Sequence, residues 1–144
     1  MLHIPVALQG NPSRLASEGL VGWTLVSADI PIIIAAVERA RTTPWPGEYI
    51  SRYLSHKLDK SAVVPDGMAG GIVRVGTKVT WMSSGGGAQT AVLHPREANS
   101  QTEGVIDLAS VLGATLIGLK VLKRAALLRS DGKFDVTVVL NIEN

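Results

Sequence analysis

Apolar residues fall at helical spacing in the first third of the chain and alternate with polar ones in the rest. Ile30, Ile33, Ile34 and Val37 recur at i, i+3, i+4 and i+7, which predicts a helix over residues 30–41 with one buried face. Pro31 suits its first turn, where an amide has no intrahelical partner to lose. Before it, Trp23 to Val26 reads as a short strand, and Ser27 or Asp29 is placed to cap the helix. A second helix is predicted over residues 48–60, with Ile50, Tyr53, Leu54 and Leu58 on its apolar stripe. The connection TTPWPG, residues 42–47, holds two prolines and bars helix. So short a turn makes the two helices antiparallel. At roughly 1.5 Å per residue the hairpin is an arm only ~18 Å long.

The segment SAVVPDGMAGG, residues 61–71, breaks the helical period. Beyond it, residues 72–82 predict a strand, 83–87 a turn and 88–93 an antiparallel return. Ala91, Val92 and Leu93 lead to Pro95, which stops the strand, and residues 96–104 form a polar connection. Val105, Ile106 and Leu108 restart a strand. Ser110 can cap a short helix carrying Leu112, Leu116 and Ile117, with Gly118 placed to end it. Residues 120–129 read as a further strand, and Ser130, Asp131 and Gly132 as a tight turn. In the last strand Phe134, Val136, Val138, Leu140 and Ile142 face one way, and Asp135, Thr137 and Asn141 the other.

These elements predict an α+β fold: a short N-terminal antiparallel helical hairpin, then an antiparallel sheet unit with one short helix. Residues 1–20, interrupted by Pro5, Gly10, Asn11 and Pro12, are read as an extension; residues 21–62 as the short strand and hairpin arm; residues 63–144 as the sheet domain.

Composition narrows the function classes. The 144 residues suffice for a substantial core, and 46% of them are hydrophobic. Fourteen basic against twelve acidic residues give a net charge of +2, too little for a surface built around phosphate. The absence of cysteine removes disulfides, zinc–thiolate sites and thiol catalysis together. No secretory signal pattern or membrane-length apolar run is found, so the expected location is cytoplasmic.

Catalytic motifs are not found. Gly85, Gly86 and Gly87 lack a following Lys-Ser or Lys-Thr and join two strands, which suits a hairpin turn better than a phosphate loop. His3, His56 and His94 show no ligand spacing, so no metal and no cofactor are expected. His94, between a strand end and Pro95, is also a candidate partner contact. Trp45 at the helical turn is either a packed cap on the helix ends or a partner contact. Lys120, Lys123, Arg124 and Arg129 form the most basic local patch. It reads either as a charged edge that blocks sheet aggregation or as a contact for nucleic acid or an acidic partner.

The order of elements, together with VLHPREAN, IDLAS and SVLGATLIGL, resembles the C-terminal domain of the Gre-factor (GreA/GreB) superfamily. Within it the short-armed branch, the regulators of nucleoside diphosphate kinase, is most similar. The resemblance covers roughly residues 23–143. Its most specific parts are Leu93, Pro95, Glu97 and Ala98, and then Ser110, Leu112, Gly113, Ala114, Leu116, Gly118 and Leu119. Val111 stands where the family usually has proline, Leu122 and Lys123 replace its Gly-Asp turn, and Asn99 replaces an aspartate.

The resemblance implies an FKBP-like sheet domain that docks on RNA polymerase at the rim of its secondary channel. His94, Pro95, Glu97, Ser110, Val111 and Leu112 are then docking candidates, and Pro44, Trp45 and Glu48 candidates at the arm tip. In the family's cleavage factors two acidic residues at that tip hold a catalytic magnesium ion, as a hard cation requires. The turn TTPWPGE offers Glu48 alone. The expectation is therefore a transcription elongation regulator, with no transcript cleavage and no enzymatic activity. It needs no small-molecule substrate, no membrane and no sequence-specific nucleic-acid contact, since no basic recognition helix is present. The alternatives are an interaction module unconnected with polymerase, and an FKBP-type peptidyl-prolyl isomerase. The isomerase is disfavoured because only Trp81 and Phe134 supply aromatic rings beyond residue 65.

Overall fold

The computed structural model describes residues 22–94 and 104–143; the expectations for residues 1–20 and for Pro95, Glu97, Ala98 and Asn99 lie outside them. Helix α1 spans Ile30–Arg41 and α2 spans Gly47–Lys60. In α1 the buried residues are Ile33, Ala36, Val37 and Ala40, whereas Ile34 is 49% exposed. The buried stripe is thus turned towards two alanines, whose small side chains let α2 come close. Gly47 opens α2 for the same reason: a Cβ there would collide with the Ala40 carbonyl oxygen.

Neither predicted cap forms. Ser27–Asp29 make a 3-10 turn that runs straight into α1, with Asp29 itself in the right-handed helical region (φ −82°, ψ −18°). A capping side chain needs an extended backbone, which Asp29 lacks. Its carboxylate instead accepts the Val75 amide at 3.0 Å and lies 3.5 Å from the Arg74 guanidinium, so it fastens α1 to the sheet unit.

Strand β1 (Thr24–Val26) pairs in parallel with β2 (Ala62–Val64). The main sheet contains β3 (Lys78–Ser83), β4 (Ala88–His94), β5 (Val105–Asp107), β6 (Arg124–Leu128) and β7 (Phe134–Glu143) in the order β5-β4-β3-β7-β6. It is antiparallel except for β4 and β5, which run in parallel. A short helix, α3 (Val111–Leu116), follows β5.

Two predicted strands are shorter than expected, each because a turn takes its first residues. In residues 72–77 the Thr77 hydroxyl donates to the Arg74 carbonyl at 2.6 Å and the Gly76 amide to Leu93 at 2.8 Å, leaving Ile72 with an isolated bridge to Lys120. In residues 120–123 the Lys123 amide closes a turn on the Lys120 carbonyl.

The alternation predicted for β7 also breaks. Thr137 and Val139 are fully buried while Val136 is 52% exposed, and a bulge opposite Thr80 and Trp81 returns Ile142 to the core side. The extra residue at a bulge reverses which parity faces inward.

The hairpin and the sheet share one hydrophobic core. Ile33, Val37, Tyr49, Ile50 and Leu54 from the helices belong to the same buried cluster as Val79, Trp81, Leu93, Leu108, Leu116 and Val139. The turn between α1 and α2 and the outer helix faces, Ile34 among them, are left exposed. The fold is α+β, a helical hairpin on a mostly antiparallel sheet.

Candidate docking site

One edge of the main sheet gathers most of the predicted docking residues. The parallel pairing of β4 with β5 sets His94 opposite Asp107, and the Leu108 amide donates to the His94 carbonyl at 3.0 Å. Ser110 caps α3 as its position predicted. Its Oγ accepts the Gly113 amide at 3.0 Å and donates to the Asp107 carbonyl at 2.6 Å. Gly113 is required by close approach, since a Cβ there would collide with that same carbonyl oxygen and lie 2.9 Å from Leu108 Cα. Val111 and Leu112 open the helix half-buried, with part of each side chain facing outward. His94, Ser110, Val111 and Leu112 thus share one sheet edge. Pro95 and Glu97 fall outside the described residues.

Asp107 joins this edge to the hairpin. Its two carboxylate oxygens take Arg39 in a bidentate pair at 2.8 and 2.9 Å, and Oδ1 also accepts the Ala109 amide at 2.8 Å. Burial raises the Asp107 pKa, but Arg39, the Ala109 amide and the charge of His94 outweigh it and hold the carboxyl below its usual range. Arg39 lies in the last turn of α1, so the pair holds the tip end of the hairpin to the sheet edge. Neither residue stood out in the sequence. The signal that could have found them is weak, an arginine and an aspartate 68 residues apart.

The arm tip is separate. Trp45 is 54% exposed, its ring 6.3 Å from that of Tyr49. It is therefore both braced by the helix end and open to solvent. Pro44 is exposed beside it, and Glu48 pairs with Arg52 at 2.9 Å one turn into α2. These residues do not fit a magnesium site. The carboxylate is already neutralised by a guanidinium, and Pro44, Trp45 and Pro46 bring no oxygen ligands from their side chains. Among the described residues no cluster of three or more His, Asp or Glu could hold a metal ion.

A buried lysine is the feature that sequence reading missed. Lys57, on the inner face of α2, is completely inaccessible, and its ammonium donates to the carbonyls of Ala114, Thr115 and Ile117 at 2.7, 2.9 and 2.6 Å. The rings of Tyr53 and Trp23 lie 4.9 and 5.4 Å from the nitrogen. Burial pushes its pKa well below the ordinary lysine value, yet three acceptors match the three N–H groups of the charged form. Lys57 therefore closes the C-terminal end of α3, whose last carbonyls have no helical partner. It also fixes the root of α2 relative to the docking edge.

No protein-family model and no curated protein matches the sequence. Solved structures do match. The prokaryotic transcription elongation factor GreA/GreB from Nitrosomonas europaea superposes with a TM-score of 0.60 at 16% identity, over 86% of this chain and 99% of that one. Gfh1 from Thermus aquaticus matches at 0.46 and 15% identity over 85% and 99%, and GreA factor homolog 1 (Gfh1) of Thermus thermophilus at 0.43 and 19% over 86% and 100%. The likeness to the Nitrosomonas protein establishes a Gre-type fold, helix pair and sheet together. Among the described residues no helix is long and apolar enough to cross a membrane.

Proposed function

We propose that this chain is a Gre-type transcription elongation regulator that docks on RNA polymerase beside the secondary channel and does not cleave transcripts. The observation that carries the reading is the shared fold, which extends over 99% of a protein described as a transcription elongation factor. The edge that gathers His94, Ser110, Val111 and Leu112 is the docking surface, and the half-buried apolar residues at the start of α3 are its central contact. Helices of 12 and 14 residues give an arm of the short-armed branch, tied down near its tip by Arg39. With Glu48 held by Arg52, the arm occupies the channel entrance without bringing a metal to the RNA. The chain then acts by competing with cleavage factors for the same rim.

Gel filtration with core RNA polymerase tests the docking. Co-elution is expected for the native chain and loss of it for Leu112→Glu, with the far-UV circular dichroism of the variant unchanged. Failure of the native chain to co-elute overturns the reading. Incubation with backtracked elongation complexes and magnesium tests the second half. The expected result is no short 3′ RNA fragments and slower cleavage by an added Gre factor.

A further inference from the structure

The turn before β6 carries an arrangement that edge protection does not account for. The Lys123 amide donates to the Lys120 carbonyl at 3.1 Å, which places Leu122 at the third position of the turn with φ 69°. That position of a type II turn ordinarily takes glycine or asparagine, because a Cβ is strained there. Leu122 is held in place from both sides. Its amide donates to Val139 at 2.7 Å, and the preceding Val121 amide donates to Gly71 at 3.1 Å. Its side chain gains no burial in return, being 68% exposed.

Charge and backbone around it point the same way. Lys120, Lys123 and Arg124 are exposed, and among the described residues no carboxylate lies within ion-pairing distance of them. Arg129, at the far end of the strand, is by contrast held by Asp131 and Asp135. β6 pairs with β7 alone among the described strands. The Arg129 amide bonds to Lys133 across that pair, so by alternation the amides of Arg124, Ala126 and Leu128 point away from β7. Protective charges would explain the lysines. They leave an exposed, strained leucine unexplained.

We propose that the 120–124 turn and the outer edge of β6 form a second docking surface, which takes an extended acidic polypeptide segment as an added strand. Leu122 receives an apolar residue of that segment, the three cations its carboxylates, and the outward amides its backbone carbonyls. A nucleic acid would use the cations but neither the leucine nor the strand edge. In the strand order β6 stands at the other end of the sheet from β5, and none of the residues of the polymerase-docking reading takes part.

The probe is a fluorescein-labelled octapeptide of alternating glutamate and valine, titrated into the full chain by fluorescence anisotropy at low salt. Saturable binding is expected, with slowed amide exchange at Arg124, Ala126 and Leu128. Leu122→Gly, which suits the turn, weakens binding about tenfold through the lost apolar contact. Ala126→Pro removes an outward amide without breaking the β7 ladder, and abolishes binding while the circular dichroism is retained. Absence of saturable binding overturns the proposal. So does an affinity unchanged in both variants, which would leave only diffuse attraction of charge, or equal affinity for a single-stranded oligonucleotide of the same charge.

Discussion

Lys57 and the lysines of the 120–124 turn carry the same charge in opposite surroundings. The first is wholly inside, with each N–H on a carbonyl and two rings beside it. The others stand in solvent with no ion-pair partner among the described residues. A buried cation is tolerable only if its environment replaces water fully, so it works as a fastener with one geometry. An exposed cation has no such demand and can change partners. The two regions therefore divide the labour: the inner one sets the shape of the molecule, and the outer one remains available for binding.

The largest break in this contrast is Lys57→Met. It leaves three carbonyls without a donor and should cost about 3 kcal/mol or more in urea unfolding. A loss under 1 kcal/mol would mean the carbonyls find other partners. By comparison Lys123→Met should change stability by no more than about 0.5 kcal/mol.

Next comes the tie at the hairpin tip. Arg39→Ala should cost about 1–2 kcal/mol, because Asp107 stays partly buried without its bidentate partner. The Asp107 pKa is lowered in the fold, so its contribution is present above the unfolded value near 3.8 and is lost as pH falls through the folded value. Asp29 has the opposite sign. Burial outweighs the Val75 amide and Arg74 and raises its pKa, so protonation favours the fold and this contribution fades as pH rises through the folded value. Unfolding measured at pH 3 and pH 7 should therefore show a smaller acid loss in Asp107→Asn than in the native chain.

Leu122→Gly should stabilise the fold by about 1 kcal/mol in thermal or urea unfolding, by relieving the left-handed leucine. The smallest effect is expected at the exposed Glu48–Arg52 pair, where Arg52→Ala should shift stability by less than about 0.5 kcal/mol. A larger loss there would show that the arm tip is a structural element after all.

Several elements were legible from local signal alone, although the local turns at Arg74–Thr77 and Lys120–Lys123 were not. The bounds of α1, the position of α2, the Ser110 cap and the hairpin between β3 and β4 all follow from spacing, capping and turn chemistry within a few residues. Those rules act between neighbours, and tertiary contacts did not override them. Of the predicted docking residues, His94, Ser110, Val111 and Leu112 do share an edge, because two of the motifs behind the resemblance flank the β4–β5 pairing.

What only the tertiary structure decided concerns polar groups that find their partners far along the chain. Asp29 looked like a cap and became a tie to Val75, 46 residues away; Lys57, which carries no signal in the sequence, became the closure of α3, 57 residues away. The inward side of β7 likewise depended on a bulge set by its partner strand, and the parallel course of β5 on its register with β4. A residue's own side chain and its near neighbours state whether it can be apolar-in or polar-out. They do not state which distant carbonyl or amide will replace its water, and that replacement is what makes burying a charge possible.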